Sequence, residues 1–331
     1  MQRGSRSPER NMTESKFWQS HAPVFVAGGS GLVGRAIVNK LADAGIEGIL
    51  SPTSRELDLT DRASVEAFIE LHRPALIIDA AARVGGILAN NSFPAEFLSQ
   101  NLQIQLNLMD TAARFGVRKF LFLGSSCIYP RLAEQPMSED ALMSGPLEQT
   151  NSAYAVAKIA GVEQVKSYRR QFNLPWISAM PTNIYGPGDN FHSTGSHVIP
   201  GLMRRLHEAK ELGEGTVSVW GTGRAMREFL YSADLADALL FLVERYDSDQ
   251  IINVGSGQEV AIEDLARKIA GVVGYQGDLS FDASKPDGTP RKLLDSSRLN
   301  NLGWQANTSL RDGLTETYNW FLENSESFRG R

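Results

Sequence analysis

Short apolar runs alternate with stretches of helical periodicity through the first half of the chain. The apolar runs predict buried strands at residues 24–27, 75–81, 119–124 and 176–180. The periodic stretches predict a helix through Ile37 and Leu41 that Gly45 ends, and helices from Thr60-Asp61 to Leu71, over 101–115 and over 154–172. Because strands and helices alternate in this way, we expect a parallel sheet with helices on both faces.

The alternation breaks after Pro181. Residues 183–195 are rich in turn-forming residues and form a long connection, so we expect them to line a site. The rest of the pattern predicts a helix over 198–210, strands at 217–220 and 228–231, a helix over 233–245, a strand at 251–254 that returns toward the sheet, and short helices from 262 onward around a loop at 284–292.

These elements predict an α/β fold, a Rossmann-type doubly wound parallel sheet with a smaller C-terminal substrate-binding lobe. We expect residues 21–182 to form mainly the NADP-binding Rossmann domain and residues 183–331 mainly the substrate-binding lobe. Segments near 228–256 are expected to return to the Rossmann domain. Residues 1–20 are polar and mixed in charge, which predicts a disordered leader.

Composition narrows the classes of function. The net charge of −5 over 331 residues, without a dominant basic stripe, argues against a nucleic-acid binder. The single cysteine cannot form an internal disulfide, which fits a reducing compartment. No apolar run approaches the roughly 18 to 20 residues of a spanning helix, and the first residues lack the apolar core of a signal peptide. We therefore expect a cytoplasmic enzyme with no membrane, nucleic-acid or metal partner.

A glycine pattern follows the first predicted strand. Gly28, Gly31 and Gly34 suit a tight turn, a close approach of backbone to a pyrophosphate, and the packing of a helix on a strand. The predicted contacts are Gly28, Gly29, Ser30, Gly31, Leu32, Val33 and Gly34. A tight turn without a ligand would show the same glycines, but the position in the first strand–helix unit favours a dinucleotide.

The residues that follow the second strand, Ile49-Leu50, indicate which of the two nicotinamide cofactors is preferred. Sites that prefer NAD place an acid there for the ribose diol, whereas this chain has no acid until Glu56. Ser54 and Arg55 can donate to a 2′-phosphate instead, although Arg55 could also be an ordinary surface arginine. We expect NADP(H).

Three side chains suit hydride transfer to a carbonyl. Ser125 follows a strand at the edge where parallel sheets bind ligands, and Tyr154 and Lys158 lie one helical turn apart. We expect the lysine ammonium to lower the pKa of the phenol, which then donates a proton while the serine hydroxyl donates a second hydrogen bond. The Tyr–Lys spacing alone is common on helix surfaces, but the glycine motif and Ser125 favour a reductase.

Cys127 and His197 are two further groups that can carry protons. Each has an ordinary alternative, because a lone intracellular cysteine is usually a buried structural thiol and His197 could be a capping or core histidine. His192 is a nearby competitor for the same role.

Longer motifs complete a pattern over residues 22–330. They are Arg83-Val-Gly-Gly-Ile87, Gly124-Ser-Ser-Cys-Ile-Tyr-Pro130, Pro181-Thr-Asn183, Tyr185-Gly-Pro187, Asp189-Asn-Phe-His192, Ser196-His-Val-Ile-Pro200, Met226-Arg-Glu-Phe229 and Ser284-Lys-Pro-Asp-Gly288. With these motifs the chain resembles the extended short-chain dehydrogenase/reductase family, and in particular its members that act on GDP-linked sugars.

The resemblance implies 3,5-epimerisation of GDP-4-keto-6-deoxy-D-mannose followed by NADPH-dependent reduction at C4 to GDP-L-fucose. Cys127 and His197 match the acid–base pair, and Tyr154 and Ser125 would hold the enolate oxygen. The implied cofactor contacts further along the chain are Gly124, Ser125, Ser126, Lys158, Pro181, Thr182, Asn183, Ile184 and His197. The implied substrate contacts are Arg205, Trp220, Arg227 and Asp287. The resemblance also implies a homodimer in which helices 101–115 and 154–172 of each subunit meet.

Three alternatives compete with this interpretation. An NAD(P)-dependent 4-epimerase or dehydratase would not need Cys127 and His197 as a pair, and a reductase of another sugar nucleotide would lack it. An inactive dinucleotide-sensing regulator would be free to lose Tyr154 or Lys158, and both are present. The epimerase–reductase is therefore favoured.

Overall fold

The computed structural model describes residues 22–192, 195–285 and 287–325, so the predicted leader lies outside the described residues. The strands are β1 (Val24–Ala27), β2 (Ile49–Leu50), β3 (Leu76–Asp79), β4 (Lys119–Leu123), β5 (Ile177–Pro181), β6 (Asn183–Tyr185), β7 (Thr216–Trp220), β8 (Met226–Tyr231), β9 (Ile252–Val254), β10 (Glu259–Ala261), β11 (Asp278–Asp282) and β12 (Arg291–Lys292). The α-helices are α1 (Leu32–Asp43), α2 (Arg62–His72), α3 (Ile87–Ser92), α4 (Pro94–Arg114), α5 (Ser152–Phe172), α6 (Val198–Leu212), α7 (Ser232–Arg245), α8 (Ile262–Val273), α9 (Ser297–Asn301) and α10 (Leu310–Asn324).

The large sheet is parallel, with strand order β2-β1-β3-β4-β5-β9. Its strands are mostly apolar because both faces are covered. Val24 and Val26 pack with α1 and α7, whereas Phe25 and Ala27 pack on the other face with α2, α4 and α5. The predicted Rossmann-type parallel sheet is confirmed.

The strand order creates a crevice at one edge of this sheet. The chain leaves β1 toward β2 on one side and then crosses to β3 on the other. Open parallel sheets bind ligands at such a switch point, outside the carboxyl ends of the strands. The glycine turn follows β1, and residue 125 follows β4, so both lie at this edge.

The smaller sheets are built from the second half of the chain. Strand β8 pairs with β6, β10 and β12, and β7 pairs with β11. Helices α6, α8 and α10 pack around a separate core that includes Leu202, Leu265 and Phe321. Between β8 and β10 the chain returns to the large sheet through α7 and β9.

The structure differs from the predicted pattern of elements in three main places. Helix α4 begins at Pro94 rather than at 101, because proline fits the first position of a helix, where no intrahelical donor is needed. The predicted loop 183–195 opens with strand β6, which pairs with β8. The region after 262 also holds strands β11 and β12 and the long helices α8 and α10, not only short helices.

Candidate active site

The glycine turn forms a cradle that only glycine permits. Gly28 has a φ of +77°, and a Cβ atom there would lie 2.8 Å from the Cα atom of Ala81. A Cβ atom at Gly34 would lie 2.1 Å from the carbonyl oxygen of Gly28, so the first turn of α1 packs directly on the loop. Helix α1 begins at Leu32 with its amino end toward this loop. The residues present therefore fit the pyrophosphate of a dinucleotide.

Glu56, the first acid after β2, is hydrogen-bonded within its own turn. The carboxylate of Glu56 accepts hydrogen bonds from the backbone N–H of Thr53 at 2.8 Å and from its hydroxyl at 2.9 Å. These hydrogen bonds lower the pKa of Glu56. Ser54 and Arg55 are exposed in the same turn. Glu56 is exposed as well, but its carboxylate is hydrogen-bonded to Thr53 within the turn.

Strand β4 delivers Ser125 and Cys127 to the edge of the sheet. Residues 126–128 form a single 3₁₀ turn capped by Ser125, whose hydroxyl oxygen accepts from the backbone N–H of Cys127 at 3.2 Å. The turn begins after Gly124, where a Cβ atom would lie 2.3 Å from the sulfur of Met180. Packing against β5 and the serine cap therefore fix the positions of the hydroxyl and the thiol.

Tyr154 lies on α5 beside these two groups and interacts with Ser125. Its ring packs edge-on against Phe97, with centroids 6.5 Å apart. Burial, together with the charge of Cys127, raises the pKa of Tyr154, and the hydrogen bond with Ser125 lowers it only in part. The phenol therefore keeps its proton at neutral pH and can donate it.

The expected lowering of the Tyr154 pKa by Lys158 is wrong for this structure. The ammonium group of Lys158 donates to the carbonyl oxygen of Leu123 at 2.7 Å and lies 6.0 Å from the centroid of the Tyr154 ring. It therefore makes a tertiary contact with the end of β4 instead of the phenol oxygen.

Asp79 is a site residue that the sequence interpretation missed. It ends β3, is buried, and accepts from the backbone N–H of Ala81 at 3.2 Å, while no donor among the described residues reaches its Oδ2 atom. Burial raises the pKa of Asp79 to about 6, and the opposing effect comes first from Lys158. Burial also lowers the pKa of Lys158, and Asp79 opposes that change. The only signal in the sequence is a carboxylate at the end of an apolar strand.

Cys127 lies next to a cation that the sequence interpretation did not assign to the site. The ammonium group of Lys292 donates to the sulfur of Cys127 at 3.4 Å. Burial acts to raise the pKa of the thiol, but Lys292 and the hydrogen bond with Ser125 oppose it, and the pKa of Cys127 is lowered. A half-buried thiol in this setting is not an inert core cysteine.

His197 is neither a core nor a capping histidine. Its side chain is 48% exposed, and it precedes α6 without a side-chain hydrogen bond to that helix. Its Nδ1 atom lies 4.0 Å from Oδ1 of Asp189, which is buried. Burial raises the pKa of Asp189, and the nearby His197 lowers it in part.

The chain just before His197 packs against the loop that contains Gly86. The carbonyl oxygens of Gly195 and Ser196, just before His197, lie 3.5 Å from the point that a Cβ atom of Gly86 would occupy. Gly86 belongs to the Arg83-Val-Gly-Gly motif, and Arg83 lies over the ring of Phe97, which contacts Tyr154. The loop that precedes His197 and the loop of Gly86 thus lie next to each other.

Two of the predicted cofactor residues after β5, Thr182 and Asn183, are hydrogen-bonded to β8. Thr182 donates to the carbonyl oxygen of Glu228 at 3.4 Å, and the side-chain amide of Asn183 donates to the same oxygen at 2.8 Å. Residues 181–184 are therefore fixed where the large sheet meets the smaller one.

The structure brings the predicted substrate contacts together around β7 and β8. Arg205 donates to the carbonyl oxygen of Ser218 at 2.8 Å, two residues before Trp220, which is 59% exposed. Arg227 donates to the carbonyl oxygen of Asp287 at 3.1 Å. Burial lowers the pKa of both arginines. Two partly buried guanidinium groups and an exposed aromatic ring suit a diphosphate joined to a base.

The carboxylate of Asp287 also shapes this region. It accepts from the backbone N–H of Thr222 at 2.7 Å and from the hydroxyl of the same residue at 2.8 Å. These bonds tie the loop before β12 to the turn after β7.

Over the part of the chain that the structure describes, no group of three or more His, Cys, Asp or Glu side chains could hold a metal ion. No helix in the described ranges combines the length and the apolar character needed to span a bilayer.

Comparisons with known proteins cover almost the whole chain. The model of the NAD dependent epimerase/dehydratase family matches residues 24–255. GDP-L-fucose synthase 1 of Arabidopsis thaliana is 55% identical over 310 residues, 94% of this chain and 96% of that protein. GDP-L-fucose synthase of Escherichia coli strain K12 is 50% identical over 316 residues, 93% of this chain and 98% of that protein.

A solved structure gives the same result for the fold. The GDP-L-fucose synthetase of Naegleria fowleri bound to NADP superposes with a TM-score of 0.85 at 31% identity, and the match covers 93% of this chain and 96% of that one.

Proposed function

The chain belongs to the NAD dependent epimerase/dehydratase family, and we propose that it is the enzyme that converts GDP-4-keto-6-deoxy-D-mannose to GDP-L-fucose. It is a bifunctional epimerase and NADPH-dependent oxidoreductase, as in the GDP-L-fucose synthases that it resembles. Residues 21–182 mainly hold NADP(H), and residues 183–331 mainly hold the sugar nucleotide, with segments near 228–256 returning to the first part.

One observation carries the proposal. At the carboxyl end of β4, a phenol that keeps its proton lies beside a thiol whose pKa is lowered, and Ser125 contacts both. A phenol and a serine suffice for reduction of a ketone. A thiol prepared to lose its proton adds a base for carbon acids, which a reductase alone does not need.

In the epimerisation, the C4 ketone acidifies the hydrogens on C3 and C5. The Cys127 thiolate takes one of these protons, and the resulting enolate oxygen accepts hydrogen bonds from Tyr154 and Ser125. His197 returns a proton to the opposite face of the carbon. Exchange of protons with water then restores the thiolate and the imidazolium for the second carbon.

In the reduction, the same two donors hold the C4 oxygen, and Tyr154 gives it a proton. NADPH supplies the hydride to C4 when it is bound. The glycine cradle at 28–34 would hold its pyrophosphate, and Ser54 and Arg55 would hold its 2′-phosphate. One oxyanion site thus serves both half-reactions.

The GDP moiety is bound by the groups around β7 and β8. Arg205 and Arg227 suit the diphosphate because guanidinium gives bidentate hydrogen bonds to phosphate oxygens. Trp220 offers an exposed ring to the base. The free thiol of Cys127 must stay reduced, which favours a cytoplasmic location.

The test is incubation of the purified protein with GDP-4-keto-6-deoxy-D-mannose and NADPH in D₂O, followed by NMR of the product. We expect GDP-L-fucose with deuterium at C3 and C5, and slower turnover when NADH replaces NADPH. A product reduced at C4 without deuterium would identify a reductase only. Deuterium at C3 and C5 without consumption of NADPH would identify an epimerase that lacks the reduction step.

The proposed enzyme is a homodimer that pairs through α4 and α5. A shallow groove between these helices is lined in part by Leu102, Leu106, Tyr168 and Phe172. Leu106 is 43% exposed and Phe172 is 53% exposed, so apolar surface faces outward along both helices. Pairing of this face with its copy would form a four-helix bundle and remove the groove from water.

A charge in this groove should break the dimer. Leu106→Glu places a carboxylate in an apolar interface, so we expect a monomer by light scattering at micromolar concentration. The matched control is Leu322→Glu on α10, because Leu322 is also 43% exposed and lies away from the groove. A Leu106→Glu protein that keeps the mass of the wild type would place the dimer contact elsewhere.

A further inference from the structure

Lys292 is the charged group closest to the thiol among the contacts that the structure gives. It lies 165 residues from Cys127 along the chain, yet its Nζ atom is 3.4 Å from the sulfur. An ammonium group at this distance donates a hydrogen bond and stabilises a thiolate over a neutral thiol.

The fold fixes the position of Lys292. Strand β12 pairs with β8, so that Lys292 lies opposite Arg227. On one side of it, Arg291 binds both carboxylate oxygens of Glu259, at 2.7 and 2.9 Å. A backbone held in this way presents Lys292 from a rigid strand rather than from a mobile loop.

The residues after Lys292 are held equally firmly. The backbone N–H of Leu293 donates to the side chain of Gln135 at 2.9 Å, and that of Leu294 donates to the buried carboxylate of Glu228 at 3.0 Å. The position of Lys292 is therefore imposed by contacts on both sides of it.

The other groups that act on the thiol do not replace this cation. Ser125 offers a neutral hydroxyl from the end of β4, and Tyr154 on α5 keeps its proton. Of the groups that act on Cys127 in the structure, Lys292 is the one that carries a positive charge.

We propose that Lys292 is a positioning residue that holds Cys127 as a thiolate before substrate binds. Lys292 donates a hydrogen bond to the sulfur, and the thiolate takes the proton from carbon. The catalytic consequence rests on the proposed function, but the ionisation of the thiol does not. Lys292 would then determine the lowest pH at which epimerisation proceeds.

The first test needs no substrate. Cys127 is the only cysteine of the chain, so thiolate absorbance near 240 nm and the rate of iodoacetamide alkylation report on it alone, with Cys127→Ser as the blank. We expect Lys292→Met to slow alkylation at pH 7 by about 10-fold or more, since one pKa unit changes the thiolate population about tenfold. Lys292→Arg should restore most of the rate, and Lys268→Met on the exposed surface of α8 should leave it unchanged.

The second test uses the sugar nucleotide. In Lys292→Met, deuterium incorporation at C3 and C5 should slow at neutral pH and recover as the pH is raised, with little change in KM. Unchanged alkylation in a folded Lys292→Met protein would overturn the proposal, and so would an effect on KM alone, which would make Lys292 a phosphate ligand. If the protein acted on another substrate, the alkylation result would still stand.

Discussion

Replacing Cys127 with serine is expected to reduce GDP-L-fucose formation by about 10²- to 10⁴-fold, the range for loss of a general base. The serine hydroxyl keeps its proton at neutral pH, even beside the ammonium of Lys292, whereas the pKa of the Cys127 thiol is lowered there. Reduction should continue, because Tyr154 and Ser125 are untouched. The variant should therefore consume NADPH and form a C4 alcohol that retains the original configuration at C3 and C5.

The measurement combines NADPH absorbance with NMR of the sugar in D₂O. The wild type should also lose deuterium incorporation as the pH falls through the lowered pKa of Cys127, because the thiolate is then protonated. A Cys127→Ser protein that makes GDP-L-fucose at the wild-type rate would show that the thiol is structural. The base would then have to be His197 or another group.

The parts of the fold that the sequence predicts well are those that local pattern determines. Strands β1 and β4 read as apolar runs because both faces of the large sheet are buried. Strand β12 consists of Arg291 and Lys292, and only its pairing with β8 makes it a strand. Strand β11 has an exposed or half-buried residue at every position, so it lacks the run of buried apolar residues that predicts a strand.

The same distinction applies to the site. The spacing of Tyr154 and Lys158 on one helix is a local feature and could be predicted. The contact between Lys292 and Cys127 could not, because it joins β12 to the end of β4. The direction of the Tyr154 pKa was predicted wrongly for a related reason, since the ammonium of Lys158 binds the carbonyl of Leu123, a tertiary contact that helical spacing does not reveal.

Tyr154→Phe should impair both half-reactions, unlike Cys127→Ser. The substitution removes only the phenol hydroxyl and leaves the ring that packs on Phe97. Reduction should slow by about 10²- to 10⁴-fold, because the C4 oxygen loses its proton donor. Deuterium incorporation at C3 and C5 should also slow, because the enolate oxygen loses one of its two hydrogen-bond donors.

Measurements of NADPH binding and of thermal unfolding distinguish a loss of catalysis in Tyr154→Phe from a loss of structure. Tyr154→Phe should bind NADPH as tightly as the wild type, measured by quenching of tryptophan fluorescence, and should unfold at a similar temperature. Loss of reduction with unchanged deuterium incorporation would contradict a shared oxyanion site, and Ser125 would then hold the enolate alone. Retention of both activities would assign the proton donor to another group. A single oxyanion site next to a separate thiolate base requires a different result from each variant. Tyr154→Phe should lose both epimerisation and reduction, whereas Cys127→Ser should lose epimerisation alone.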